Sequence, residues 1–193
     1  MWKWNIQELS RFKDSFNNKK IVFIATDKGF DDPEEVKEQF SKAGFNDIEF
    51  HLIPNNEKLG ECAPLYKMLD MVYSLDNNEY TFFAHAKGVT RETVRKKSWC
   101  SAEANKTWIK KMMMHNLFST EKIHRILLEK PCFGIMKSTF EERKLGWYFI
   151  SSKHRWIYAG GFFWFKHSSL FSQKYKSIVF QKRYTIESYL SNF

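Results

Sequence analysis

The 193-residue sequence has no aspartate after Asp76, only three cysteines, four prolines and eight glycines. Cys62, Cys100 and Cys132 lie far apart, so they form neither a Cys-x-x-Cys zinc site nor a paired disulfide framework. A reducing, cytoplasmic compartment is the expectation. No Pro/Gly/Ser-rich linker, repeat or low-complexity run divides the sequence, so one domain over residues 1–193 is expected. The longest apolar run, Tyr158–Phe165, is too short to cross a bilayer, and Met1–Gln7 lacks the apolar core of a secretory leader. Missing too are Gly-x-Gly-x-x-Gly after the first expected strand, a Gly-rich phosphate loop ending in Gly-Lys-Ser/Thr, Gly-x-Ser-x-Gly and His-Glu-x-x-His. Dinucleotide binding, P-loop chemistry, serine hydrolysis of the α/β-hydrolase kind and zincin chemistry are thereby disfavoured. The six histidines include no pair at metal-binding helical spacing.

What is abundant is aromatic and basic. Aromatic residues make up 18%, with 19 Phe, 8 Tyr and 7 Trp, which suits a dense core or a cleft for flat ligands. The net charge is +9, unevenly placed: residues 1–80 carry −5 and residues 81–193 carry +14. A basic half of this kind suits nucleic acid, an anionic surface or a phosphorylated small molecule. It equally suits a lysine-rich solvated face.

Residues 21–25, wholly apolar, read as a strand buried on both faces. Asp32-Pro33 with acids behind it reads as a capped helix start, and Gly44 as its stop. Strands are expected at 48–53, 80–86 and 132–136. A further one is expected over 156–165, interrupted by Gly160-Gly161. Helices are expected at 61–75, along the stretch holding Trp108, Met112 and Leu117 and then Ile123 and Leu127, and at 185–191. Strands alternating with helices imply an α/β fold with a mostly parallel central sheet flanked by helices. Such sheets bind ligands at the carboxyl ends of their strands, here 25–28, 85–91 and 160–166.

Three features carry candidate chemistry. An apolar strand runs into His85-x-Lys87-Gly88 and then Arg91, and alternation puts His85 and Lys87 on one side. Lys87, Arg91 and Arg95 could gather round a phosphate, or be ordinary surface cations beside a buried histidine. Gly160-Gly161 within an aromatic strand marks a bulge or a close backbone approach to something bound. Rings beside it, Trp164 among them, serve as sugar platforms or as core. Glu187 is the one acid after Glu142, and serves either as an ion-pair partner or as a general base.

Together these residues resemble a family of small glycosyltransferase-like proteins of bacteria and large DNA viruses. Its pattern runs Glu-x-x-Thr-Leu, then Tyr-x-His-Thr-Lys-Gly-Val-x-Arg, a Trp-x-x-x-Met helix, a Gly-Asn-Phe-Trp-Trp strand, and a closing Arg and acid. Glu61–Leu65, Phe83–Arg91, Trp108 with Met112, Gly160–Trp164, and Arg183 with Glu187 match it across residues 20–190. Pro64, Ala86 and Gly161 depart from it, where the pattern has Thr, Thr and Asn.

The resemblance implies a GT-A-type fold, a nucleotide-sugar donor, UDP-linked, and transfer to a hydroxyl of a glycan or glycoprotein acceptor. It implies that Ala25, Thr26 and Asp27 bracket the nucleoside and that Glu61 opens a helix facing the donor. His85 and Lys87, with Arg91 or Arg95, meet the diphosphate. Gly160, Gly161 and Trp164 lie on the acceptor side, and Glu187 is the base of an inverting displacement. GT-A enzymes commonly hold Mn or Mg on Asp-x-Asp, which this sequence lacks. No cofactor is therefore required, Lys87 standing in for the cation; a bound cation would draw on Asp76 and His85. The alternatives are a basic, aromatic nucleic-acid-binding module and a non-catalytic glycan-binding relative. Nucleic acid is not a partner in the preferred reading.

Overall fold

The computed structural model describes residues 2–27, 32–86, 102–135, 137–139, 156–158, 161–178 and 183–192. Contacts group the chain into two compact units, residues 1–56 with 86–120 and residues 57–85 with 121–193.

The first unit holds helix α1 (Trp2–Ser10), strand β1 (Lys20–Thr26), helix α2 (Pro33–Lys42), strand β2 (Ile48–Pro54) and helix α4 (Ala102–Leu117). β1 and β2 are parallel, in register from Lys20↔Ile48 to Thr26↔Pro54. Local chemistry explains α2. The Asp32 carboxylate accepts the Glu34 N–H at 3.0 Å, with Pro33 at the first helical position. At the far end Gly44 takes φ 84°, Phe45 N–H bonds back to Phe40 O, and Gly44 N–H to Ser41 O. That closure sets the Phe40 and Phe45 rings 5.9 Å apart, and both enter the core with Ile6. Val22, Ile48 and Phe50 pack on that core from one face of the strand pair. On the other face Phe23 stacks on His51 at 5.0 Å. Only Ile24 of β1 is buried, so the expectation of a strand buried on both faces is corrected to a half-buried one. Helix α1, whose Ile6 is buried and whose Trp2 and Leu9 pack beside it, was not anticipated.

The second unit holds a 3-10 turn (Gly60–Cys62), helix α3 (Leu65–Met71), strand β3 (Tyr80–Phe83), helix α5 (Thr120–Glu129) and strands β4 (Cys132–Gly134), β5 (Lys137–Thr139), β6 (Trp156–Tyr158) and β7 (Phe163–Lys166). Helix α6 (His167–Phe171) and a 3-10 segment (Arg183–Asn192) follow. β7 lies between β3 and β4, antiparallel to both, and β5 pairs antiparallel with β6.

The described residues thus form a mixed α/β fold. The sheet is not mostly parallel: among the described residues β1–β2 is the one parallel pair. A further departure lies at Gly161. Its φ of 65° and its N–H bond to Tyr158 O at 3.1 Å fold the chain back. The expected single strand over 156–165 becomes β6 and β7, which take different partners. The expected helix at 185–191 is a 3-10 segment whose three-residue period turns Ile186 and Tyr189 together into the core.

Phe163 and Phe165 of β7, Phe83 of β3, Leu65 and Leu69 of α3, Leu170 and Phe171 of α6, and Ile186 and Tyr189 form one core. Phenols tie the C-terminal stretch to this core: Tyr66 donates to Ile178 O and Tyr189 to Tyr175 O at 2.6 Å. Tyr175 and Lys176 reach the Asp70 carboxylate at 2.9 and 2.7 Å.

Candidate functional site

Three segments of the second unit meet at His85. The imidazole follows the carboxyl end of β3, half-buried between the rings of Phe162 at 5.8 Å and Phe83 at 6.5 Å. Beneath it runs the main chain at Gly161. A Cβ placed there would stand 3.2 Å from His85 Nε2, 3.3 Å from its Cδ2 and 3.6 Å from Ile186 Cγ2. Ile186 is fully buried, and Glu187 follows it, half-buried. The 3-10 turn bearing Glu61 packs against the same C-terminal segment, with Cys62 in a core shared with Ile186 and Tyr189. The end of β3 at His85, the Gly161 backbone and the Glu61 turn, well separated in sequence, therefore come together beside the segment that carries Ile186 and Glu187.

Other nominated residues fall elsewhere. Lys87, Arg91, Arg95 and Gly160 lie outside the described residues. Trp164, at 7% exposure, packs on Phe82 with ring centroids 5.2 Å apart. It is placed as a ring of the sheet's own packing and presents no open platform. Asp76 accepts the Asn78 N–H at 2.8 Å in the turn leading into β3. The whole of β3 separates it from His85, and a four-residue strand spans roughly 10 Å. Asp76 and His85 therefore do not fit one cation. Among the described residues no group of three or more His, Cys, Asp and Glu side chains gathers.

Ala25, Thr26 and Asp27 stand at the carboxyl end of the parallel pair in the first unit, Ala25 and Asp27 exposed. The Thr26 hydroxyl donates to Ile53 O at 3.1 Å and Asn55 N–H to Thr26 O at 2.9 Å. The Asn55 side-chain amide donates to Asp27 Oδ2 at 3.2 Å. Asn55 thus orients Asp27.

A second histidine was missed altogether. His167, at 6% exposure, opens α6 with Nε2 2.7 Å from Thr81 Oγ1 and its backbone N–H on Glu79 O. Nδ1 lies 3.3 Å from Glu79 Oε2, off the line of a hydrogen bond. Burial holds this imidazole below the usual histidine range, partly opposed by the Glu79 and Asp76 carboxylates. Hydroxyl, imidazole and carboxylate in this order suggest a nucleophile relay. The placement argues otherwise. Thr81 shares its face of β3 with core residue Phe83, and the His167 ring stacks on Phe165 at 5.7 Å and meets Phe171 edge-on at 5.3 Å. The group clamps β3 to α6. No local spacing announces it, because Thr81 is 86 residues away in sequence.

On the β4 side, burial pushes the Tyr158 phenol far up from its ordinary value, and its ring lies against the Gly134 backbone. The described tyrosine is thus a packing group beside the site. No protein-family model, no curated protein and no solved structure matches this chain.

Proposed function

We propose that this chain is a glycosyltransferase of GT-A-like plan that moves a sugar from a UDP-linked donor to a hydroxyl of a glycan acceptor, with inversion. The observation that supports it most is the meeting of His85, the Gly161 turn and the Ile186–Glu187 segment. An imidazole at a strand's carboxyl end and the segment that carries the one acid of the C-terminal stretch both border Gly161.

In this reading Glu187 takes the acceptor hydroxyl's proton as that oxygen attacks the anomeric carbon. The bond from that carbon to the diphosphate oxygen breaks in the same step, and a single in-line displacement inverts the centre. His85 donates a hydrogen bond to the departing diphosphate. In sequence Lys87, Arg91 and Arg95 follow closely and supply positive charge to it, the main electrostatic aid. Lys87 is assigned the charge-neutralising task that a cation performs elsewhere.

A thermal-shift panel tests the reading, because a ligand that binds only the native state raises its melting temperature. UDP is expected to stabilise the chain more than GDP or CMP, and Lys87→Ala to weaken UDP binding by about 1.5–3 kcal/mol. No shift with any of the three at millimolar concentration, joined to salt-sensitive binding of single-stranded oligonucleotide, would replace this reading with the nucleic-acid one.

A further inference from the structure

Paired glycines in an aromatic strand imply that something comes close to the main chain, and a bound acceptor sugar was the expected visitor. The structure shows His85 there instead. The Nε2–Cδ2 edge of the imidazole rests where a side chain at 161 would begin, with contacts of 3.2 and 3.3 Å to a Cβ. The Phe162 and Phe83 rings lie beside the imidazole, and Ile186 borders the same Cβ position at 3.6 Å. The glycine cannot yield. Its φ of 65° is held by its N–H bond to Tyr158 O, and Gly161, Phe162 and Phe163 are all buried.

The geometry points to Gly161 as a positioning residue that seats the His85 imidazole against the Ile186–Glu187 segment. This moves Gly161 from the acceptor side to the donor side, and it rests on reading the site as one for a nucleotide-sugar. A side chain at 161 forces the ring to give by a few tenths of an ångström, which shifts the hydrogen-bond partner offered to the diphosphate. Gly161 itself touches no reacting atom.

The test is a double-mutant cycle with UDP as the probe. His85→Ala is expected to weaken UDP binding about tenfold, as loss of one charge-assisted hydrogen bond does. Gly161→Ala is expected to weaken binding by less than His85→Ala does, and the double variant to be no weaker than His85→Ala alone. Losses that multiply in the double variant would overturn the seating, because Gly161 would then act without His85. Alanine at positive φ also strains the backbone, so Gly161→Asn, which tolerates that conformation, accompanies it. Gly44→Ala serves as the strain control. Gly44 has φ 84°, and a Cβ there would meet only the end of the Lys13 side chain.

An NMR titration of the His85 ring separates failure of the seating from failure of the nucleotide reading, because it needs no ligand. A displaced ring resonance and titration midpoint in Gly161→Asn, with neither in Gly44→Ala, supports the seating even if UDP does not bind. Unchanged His85 signals in Gly161→Asn would overturn it.

Discussion

His85 and His167 flank the same four-residue strand, one beyond each end, and their surroundings differ in kind. His167 is enclosed: a hydroxyl on Nε2, a carboxylate near Nδ1, a backbone bond to Glu79, the Phe165 ring stacked on it and the Phe171 ring edge-on to it. His85 is half-buried on a glycine, between rings, beside a segment that carries an acid. The comparison separates a histidine enclosed within the fold from one left partly at the surface. The first gives Nε2 to a hydroxyl of its own chain and is closed in by two rings, with Nδ1 buried beside a carboxylate. The second has its ring position fixed by shape while part of it reaches the surface.

The largest expected effect is at the acid beside the His85 end. Glu187→Gln should lower UDP-sugar turnover, slow hydrolysis included, by about 10²–10⁴-fold while leaving UDP affinity and melting temperature unchanged. Activity within about threefold of wild type would remove Glu187 from the proton transfer, since that is less than ~1 kcal/mol of barrier.

Next comes the clamp. His167→Ala leaves the Thr81 hydroxyl buried without its partner and opens space between Phe165 and Phe171. A loss of about 2–4 kcal/mol in chemical denaturation is expected, with UDP affinity intact. A parallel fall in UDP affinity would erase the division between the two ends of β3.

The converse change, His85→Ala, should cost about 1.4 kcal/mol of UDP binding, a tenfold change in Kd, and shift the melting temperature by less than about 2 °C. A large stability loss without a binding loss would make His85 a second structural histidine.

The smallest effect is a pH dependence. Burial lowers the folded-state pKa of His167 below its ordinary value of 6.5. Below that pH the unfolded chain binds more protons than the folded one, so stability falls as pH drops through this window and is flat above it with respect to this group. The slope is at most about 1.4 kcal/mol per pH unit. His167→Gln should remove that component from a pH series of denaturation curves. An unchanged slope in His167→Gln would assign the acid sensitivity to other groups.

How legible these features were in the sequence depends on how local their causes are. The start and stop of α2 were fully readable, because Asp32, Pro33 and Gly44 act through bonds to residues at most five positions away. The split of residues 156–165 was not. Ten mostly apolar residues carry no period that tells one strand from two, and the break depends on the sign of one backbone angle at Gly161. Helix α1 was readable in principle from Trp2, Ile6 and Leu9, but its partners Phe40 and Phe45 come from a later element. The glycine pair is read in the sequence as a bulge or a close approach to something bound; at Gly161 the close neighbour is a side chain of the protein itself. That neighbour, His85, lies 76 positions earlier, beyond any window that spacing arguments use. The parallel sheet was overextended because alternating helices and strands also occur where a strand such as β7 enters between two antiparallel neighbours.

The Tyr66 phenol grips the carbonyl of Ile178, 112 positions further along. In terms of folding kinetics this is a loop closure with a long span, and such contacts form late because their entropy must be spent before they repay it. The chain also leaves the second unit at residue 85 and returns at residue 121. Helix α3 and the Glu61 turn therefore emerge during synthesis without the Ile186–Tyr189 face that covers them, and their apolar side chains wait uncovered for more than a hundred residues. The His85–Gly161–Glu187 grouping is then among the last parts of the molecule to assemble. A chain stalled before residue 186 would display the imidazole but neither the core residue beside it nor the acid.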